Sequence, residues 1–308
     1  MFRFSQKSLI QKISVWGGGT MGGGIAQVTA QAGIPATILE VSQERADISK
    51  KQVEASLARV AKKKADGDAT KMKEYVDGVM KHLTWTTDEK QAADTDLVIE
   101  AVVEDLKVKQ DLFARLDKLA PKEAIFVSNT SSLRVTDIAS TAARKDRFGG
   151  LHFFSPVAMM KLVEVVRTEE VSPEVIAKLK EFCVKIKKVP VVTKDTKGFI
   201  VNRLLVPYQL EAVRLVERGV ASFEDVDTAM KLGCGYPMGP FELSDSAGID
   251  VGVLITTAWH KEFPDDPLFA PVTLPKKLFD NGKMGKKTGE GYYKYDSKGK
   301  KVGKTDLL

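Results

Sequence analysis

Cysteine and histidine are both scarce in this 308-residue chain, with two of the first and three of the second. Cys183 and Cys234 stand far apart and lack metal-ligand spacing. They read as buried or incidental thiols in a reducing compartment, which argues against a disulfide scaffold and against a metal centre. Aromatic residues make up only 7% of the chain, and no nucleic-acid motif accompanies its basic balance. No apolar run reaches the length of a membrane span, and no secretory signal, internal repeat or low-complexity segment is visible.

What is present is an ordinary globular composition, 43% hydrophobic and 29% charged, with a formal charge of +6. The excess concentrates in Lys62-Lys63-Lys64, in Lys185–Lys188 and near the carboxyl end. Such runs are usually solvated faces. An acidic small-molecule ligand explains the balance at least as well as nucleic acid does.

The amino end carries the strongest local pattern. Ile13-Ser14-Val15-Trp16 reads as a strand, Gly17-Gly18-Gly19-Thr20-Met21-Gly22 as a turn, and Ile25–Ala32 as a helix; Ala36–Leu39 is a second strand ending at Glu40. Gly17, Gly19 and Gly22 occupy the fixed positions of G-x-G-x-x-G, which permit a sharp turn, close approach of a pyrophosphate and tight helix–strand packing. The helix N-terminus, opening on Thr20 and Met21, offers unpaired N–H donors and partial positive charge to phosphate. The flanking strand and helix, with an acid about twenty residues on, form the context that makes the motif a dinucleotide site. Glu40 accepts from ribose hydroxyls and repels a 2′-phosphate, which favours NAD over NADP.

Strands and helices alternate from about residue 12 to 193, the pattern of a doubly wound α/β sheet. Helical stretches are expected at Gln43 to about Lys64, with Val53, Leu57, Val60 and Ala61 as one apolar stripe, and at Lys71–His82; together they form a helical insertion at 43–82. Strands are expected at Asp96–Ala101, Ala124–Val127, Arg147–Phe153, Lys161–Arg167 and Val189–Thr193, with helices at Leu106–Leu119 and Pro173–Lys187. From Gly198 the patterns are helical: Phe199–Arg218, Phe223–Leu232, Gly239–Ala247 and Val251–Phe263. Two domains follow, residues 1–196 of Rossmann type and an all-α domain at 197–308, with Lys194–Lys197 as the junction. The polar tail Lys294–Leu308 is expected to fray.

Open α/β sheets bind ligands at the carboxyl ends of their strands. Ser131, His152, Glu104 and Asp105 all fall at such ends. His82 and His260 read as structural or surface residues, whereas His152 ends a strand among apolar residues. There a satisfied core histidine and a catalytic one remain equally open. Glu164 lies inside the apolar run Leu162–Val166, where a carboxylate is costly unless paired. A His–Glu pair would fix the imidazole tautomer and stabilise imidazolium, as a general base for an alcohol needs. The alternative for Glu164 is an edge strand facing water.

Over nearly its whole length the chain resembles the short-chain L-3-hydroxyacyl-CoA dehydrogenases of fatty-acid β-oxidation. The segments that carry the resemblance are GGGTMGGGIAQV, DLVIEAVVEDLKVK, SNTSSL, GLHFFSP, KLVEVV, DTKGFIVNRLL, AMKLGCGYPMGPFEL and GKKTGEGYY. It implies an NAD-binding domain, a helical domain that forms a homodimer, and oxidation of (S)-3-hydroxyacyl-CoA in the cleft between domains. It further implies that His152 is the base, Glu164 its orienting carboxylate, and Ser131 a contact of both nicotinamide and substrate oxygen. Asn202 would help position the substrate. Glu40 would bind ribose, Glu104, Lys109 and Lys287 would contact NAD, and Ser56 and Lys63 would contact CoA. The sequence departs from the family at two places. Ser155 stands where Asn is usual, with a shorter reach toward the nicotinamide, and Glu40 replaces the more usual Asp.

Two rival readings are a related dehydrogenase of free hydroxy acids such as gulonate, and an NAD-binding structural protein without catalysis. Ser56 and Lys63 weigh against the first, and the intact set of Ser131, His152, Glu164 and Asn202 against the second. Nucleic-acid binding has only net charge in its favour. The start, Met1 to Ser8, is basic, contains Ser and is followed by no acid before Glu40, as in a short mitochondrial presequence. The expected compartment is therefore the mitochondrial matrix, otherwise the cytoplasm.

Overall fold

The computed structural model describes residues 10–307, so the expected presequence lies outside the described residues. The chain divides into two compact units, the first ending at Phe199 and the second beginning at Ile200.

In the first unit the elements run β1 (Ile13–Trp16), α1 (Thr20–Gln31), β2 (Ala36–Leu39), α2 (Gln43–Lys64), α3 (Ala69–Met80), β3 (Leu83–Thr86), α4 (Glu89–Ala93), β4 (Leu97–Glu100), α5 (Leu106–Leu119), β5 (Ile125–Ser128), α6 (Val135–Ala139), β6 (Phe148–Phe153), β7 (Leu162–Arg167), α7 (Pro173–Lys185) and β8 (Val189–Lys194). The strands form one eight-stranded sheet in the order β3-β2-β1-β4-β5-β6-β7-β8. Every residue of β1, β4, β5 and β6 is buried, because helices cover both faces of a parallel sheet. The chain moves outward from β1 in both directions, to β2 on one side and β4 on the other, which opens a crevice at their carboxyl ends.

Strand direction reverses once. β6 and β7 are antiparallel, and β7 and β8 are parallel to each other. β7 is thus an interior strand, and Glu164 is buried rather than facing water from an edge.

Local sequence explains the helix boundaries. Ser42 caps α2 by accepting from the Arg45 N–H, Asp105 caps α5 through Val108 N–H, and Ser172 caps α7 with Pro173 at its first position. On α2 the stripe Val53, Leu57 and Ala61 is buried, while Val60 is only half-buried. Phe113 of α5 packs on Phe126 and Phe148 of the sheet, with ring centroids 5.6 and 4.5 Å away.

The second unit comprises α8 (Val201–Glu217), α9 (Phe223–Cys234), α10 (Pro240–Ala247), α11 (Ile249–Glu262), α12 (Leu274–Asp280) and a hairpin of β9 (Tyr293–Tyr295) with β10 (Lys301–Lys304). This hairpin corrects the expectation of a frayed tail. Tyr293 and Tyr295 donate their hydroxyls to Asp227 and Asp245 at 2.7 and 2.9 Å, Thr305 is buried, and Leu307 packs on the helical core. Lys301 and Lys304 of β10 are exposed.

Candidate active site

The glycine turn lies at the crevice between β1 and β4. Gly17 has φ +98°, and a Cβ there would meet the Ala101 carbonyl oxygen at 2.6 Å. At Gly22 a Cβ would lie 1.8 Å from the Gly17 carbonyl oxygen, so helix and turn touch backbone to backbone. Gly19 behaves differently: a Cβ there meets nothing within 4 Å. Among the described residues no neighbour requires glycine at position 19, and the space in front of it is open. Gly19 is also the N-cap of α1 and offers no side chain to the first-turn N–H groups, among them those of Thr20 and Met21. Glu40 follows β2 and accepts from Gly18 N–H through Oε1 at 2.6 Å. Gly17, Gly19, Glu40 and Val102 line a cleft of about 610 Å³. An apolar-walled cleft, a carboxylate at its rim and an uncapped helix start together fit a dinucleotide.

Beside this cleft lies a buried ion cluster. Lys109 is 1% exposed, and its ammonium sits 2.7 Å from Glu100 Oε1 and 3.0 Å from Glu104 Oε2. Lys109 therefore faces two carboxylates rather than open cleft. Glu100 Oε2 accepts from the Ser128 hydroxyl at 2.5 Å, and its Oε1 accepts from Val102 N–H. Burial pushes the Glu100 carboxyl up against the pull of Lys109. Burial also pushes Glu104 up, but the Lys109 ammonium and the hydroxyls of Thr130 and Ser132 outweigh it and hold the group at about 2. Glu104 Oε1 takes the Thr130 hydroxyl at 2.6 Å, the Ser131 and Ser132 N–H groups at 3.1 Å each, and the Ser132 hydroxyl at 2.9 Å. The exposed Ser131 is thus held through its own backbone.

His152 and Glu164 stand directly opposite each other in the β6–β7 register. His152 Nδ1 lies 2.7 Å from Glu164 Oε2, with the two residues 5% and 0% exposed. An ionised carboxylate there makes Nδ1 the protonated nitrogen and leaves the Nε2 lone pair free to accept. Phe154 and Phe199 flank the imidazole, with ring centroids 4.5 and 5.4 Å away. Phe199 holds φ +52°, a left-handed conformation rare for a bulky residue.

Ser155 is exposed and precedes Pro156 through a cis bond. Ser56, half-buried on α2, lines a second cleft of about 330 Å³ with Thr20, Gln27, Arg59 and Pro156. Lys63 lies seven residues further along α2, exposed in its last turn. Asn202 is in the first turn of α8. Lys287, also in the second unit, pairs with Asp250 at 2.6 Å. Among the described residues no group of three or more His, Cys, Asp or Glu could hold a metal ion, and no helix is long and apolar enough to cross a membrane.

Sequence reasoning missed Glu100 and Asn129. Glu100 ends an apolar strand and has Lys109 nine residues on, a spacing that brings a strand end under the following helix. Asn129 lies inside the SNTSSL segment, and its side-chain oxygen accepts from Phe153 N–H at 2.9 Å.

Known proteins match this chain along most of its length. Residues 12–196 match the family model for the NAD binding domain of 3-hydroxyacyl-CoA dehydrogenase, and residues 198–295 match its C-terminal domain. The chain is 52% identical over 291 residues to the mitochondrial hydroxyacyl-coenzyme A dehydrogenase of Rattus norvegicus, covering 94% of this chain and 93% of that protein. The crystal structure of FadB2 from M. tuberculosis superposes with a TM-score of 0.87 at 40% identity, covering 94% of this chain and all of the other. That of (S)-3-hydroxybutyryl-CoA dehydrogenase PaaH1 from Ralstonia eutropha gives 0.86 at 34% identity, with 94% and 100% covered. The chain belongs to the 3-hydroxyacyl-CoA dehydrogenase family, with an NAD-binding Rossmann-type domain followed by the family's helical C-terminal domain.

Proposed function

We propose that this protein oxidises (S)-3-hydroxyacyl-CoA to 3-oxoacyl-CoA in fatty-acid β-oxidation, with His152 as the general base. The buried His152–Glu164 contact at 2.7 Å carries this reading. Glu164 takes the Nδ1–H bond, so Nε2 can accept the proton of the 3-hydroxyl. The imidazolium formed then lies against an ionised carboxylate in a buried, aromatic-flanked site, where Coulomb attraction is less screened than in water. Bound NAD supplies the hydride acceptor for carbon 3. Ser131 and Asn202 hold the substrate oxygen, which sets the orientation that hydride transfer requires.

On the cofactor side, Gly17, Gly19, Thr20, Met21 and Gly22 cradle the pyrophosphate and Glu40 binds ribose. Glu104, Ser155 and Lys287 contact the remaining part, and Lys109 acts through Glu104. Ser56 and Lys63 take the CoA portion, where a cation facing phosphate forms a charge-assisted bond. The helical domain forms a homodimer, and the compartment is the mitochondrial matrix, in line with the mitochondrial hydroxyacyl-coenzyme A dehydrogenase of Rattus norvegicus.

Turnover of 3-hydroxyacyl-CoA esters of increasing chain length, beside free 3-hydroxybutyrate and gulonate, tests this. NADH should form from the CoA esters and far more slowly from the free acids. Equal rates with the free acids would overturn the substrate assignment, and NAD binding without NADH formation would overturn the reaction.

A further inference from the structure

The β5–β6 ladder stops early. Phe126 pairs with Phe148, Val127 with Gly149 and Ser128 with Gly150. β6 runs on to Phe153, so Leu151, His152 and Phe153 extend past the last paired residue of β5. On their other side β7 holds them, with His152 opposite Glu164 and Phe153 opposite Val163. A strand end held on one side only pivots about that ladder, and an imidazole at such an end would swing with it.

One side chain replaces the missing ladder. Asn129 Oδ1 accepts from Phe153 N–H at 2.9 Å, across 24 residues of sequence. Asn129 is itself fixed, since its N–H donates to the Glu100 carbonyl oxygen at 2.9 Å. The Glu100 carboxylate accepts from the Ser128 hydroxyl and from Lys109. Lys109 in turn holds Glu104, which binds the backbone at Ser131 and Ser132. Residues 128–132 are therefore clamped on both flanks of Asn129, and the clamp reaches β6 one residue beyond His152.

We infer that Asn129 is a positioning residue for the reaction: its side-chain oxygen locks the free end of the His152 strand to the segment that carries Ser131, so base and substrate-side hydroxyl keep one mutual geometry. The inference rests on the reading of His152 as base. The positions on either side of Asn129 serve the cofactor-facing cluster, while its own side chain turns to the base. Loss of the acceptor frees Phe153 N–H and leaves a partly buried donor unpaired. A misplacement of about 1 Å at a reacting group costs on the order of 10²-fold in rate.

Three variants of the full-length protein test it. Asn129→Leu keeps the side-chain size and removes the acceptor, Asn129→Asp keeps an acceptor at the same reach, and His152→Gln is the control. We expect Asn129→Leu to lower kcat between about 10- and 100-fold, with NAD affinity within about twofold of the parent and Asn129→Asp recovering most of the loss. A second readout does not depend on catalysis. The Nδ1–H proton of His152, identified in NMR spectra by its loss in His152→Gln, should shift or broaden in Asn129→Leu and return in Asn129→Asp. Normal kcat with an unmoved Nδ1–H signal in Asn129→Leu overturns the inference. So does a fall in kcat that tracks melting temperature and NAD affinity and is not rescued by Asp. If His152→Gln keeps its turnover, the base lies elsewhere and the functional reading fails; the NMR signal still decides whether Asn129 fixes the ring.

Discussion

Glu164 meets His152 across the antiparallel pair β6–β7 of the large sheet, with Oε2 2.7 Å from Nδ1 and both side chains buried. Removing either partner therefore acts on proton transfer first. His152→Gln should lower kcat by about 10²–10⁴-fold, the range for a positioned base. NAD affinity should hold, because the cofactor cleft is built from other strands. Glu164→Gln should lower kcat and displace the acidic limb of the pH–rate profile. Steady-state kinetics beside fluorescence titration of NADH separate the two effects, and an unchanged profile in Glu164→Gln would count against the pair.

Gly19 and Gly22 should respond in opposite ways. Gly22→Ala places a Cβ against the Gly17 carbonyl oxygen and should destabilise the fold by about 3 kcal/mol, the upper range for overpacking. Gly19→Ala points its methyl into open space with φ −64°, which alanine adopts freely. Its stability should stay within about 0.5 kcal/mol of the parent, while NAD affinity falls tenfold or more. Urea unfolding and NADH titration of both variants check this.

Lys109→Met should leave Glu100 buried beside Glu104 with no counter-charge. The expected loss is about 3–5 kcal/mol, as for other broken buried pairs. Burial already raises the Glu100 carboxyl, and loss of Lys109 raises it further. A carboxyl raised above its unfolded value favours folding when protonated, so this variant should grow less stable as pH rises from 5 to 8. Urea midpoints at the two ends of that interval report the slope, which should be steeper than in the parent, where Lys109 opposes the rise of the Glu100 carboxyl.

Glu104 has the opposite sign. Its folded value, about 2, lies below the ordinary 4.5, so its contribution to stability is whole above about 4.5 and is lost as pH falls toward 2. Glu104→Gln should flatten the acid limb of the stability profile over that window. It should also loosen Ser131, which raises KM and lowers kcat together.

Cys183 is buried, and burial pushes its thiol up to about 12, whereas Cys234 is exposed. Cys183 should resist thiol reagents in the native protein and react only on unfolding. Reagent titration with and without denaturant measures this, and native labelling of Cys183 would contradict its place in the core.

Much of the first unit was legible because its signals are local. Asp105 caps a helix whose Leu112, Phe113 and Leu116 recur on one face, and the expected span Leu106–Leu119 is the observed one. The His152–Glu164 contact was also anticipated, because a carboxylate in an apolar strand demands a partner. β3 escaped notice because Leu-Thr-Trp-Thr buries only its first residue, which leaves little alternation to read. The β9–β10 hairpin was invisible for a different reason: its fixed points are Asp227 and Asp245, about fifty residues or more upstream. Asn129 left no trace either, since its importance depends on where β5 stops pairing, which sequence periodicity does not report.

The turnabout at β6 and β7 places both partners of the His152–Glu164 contact in a short contiguous stretch closed by one connecting loop. A contact between strands that follow one another in sequence forms once that short connection closes, without waiting for distant parts of the chain.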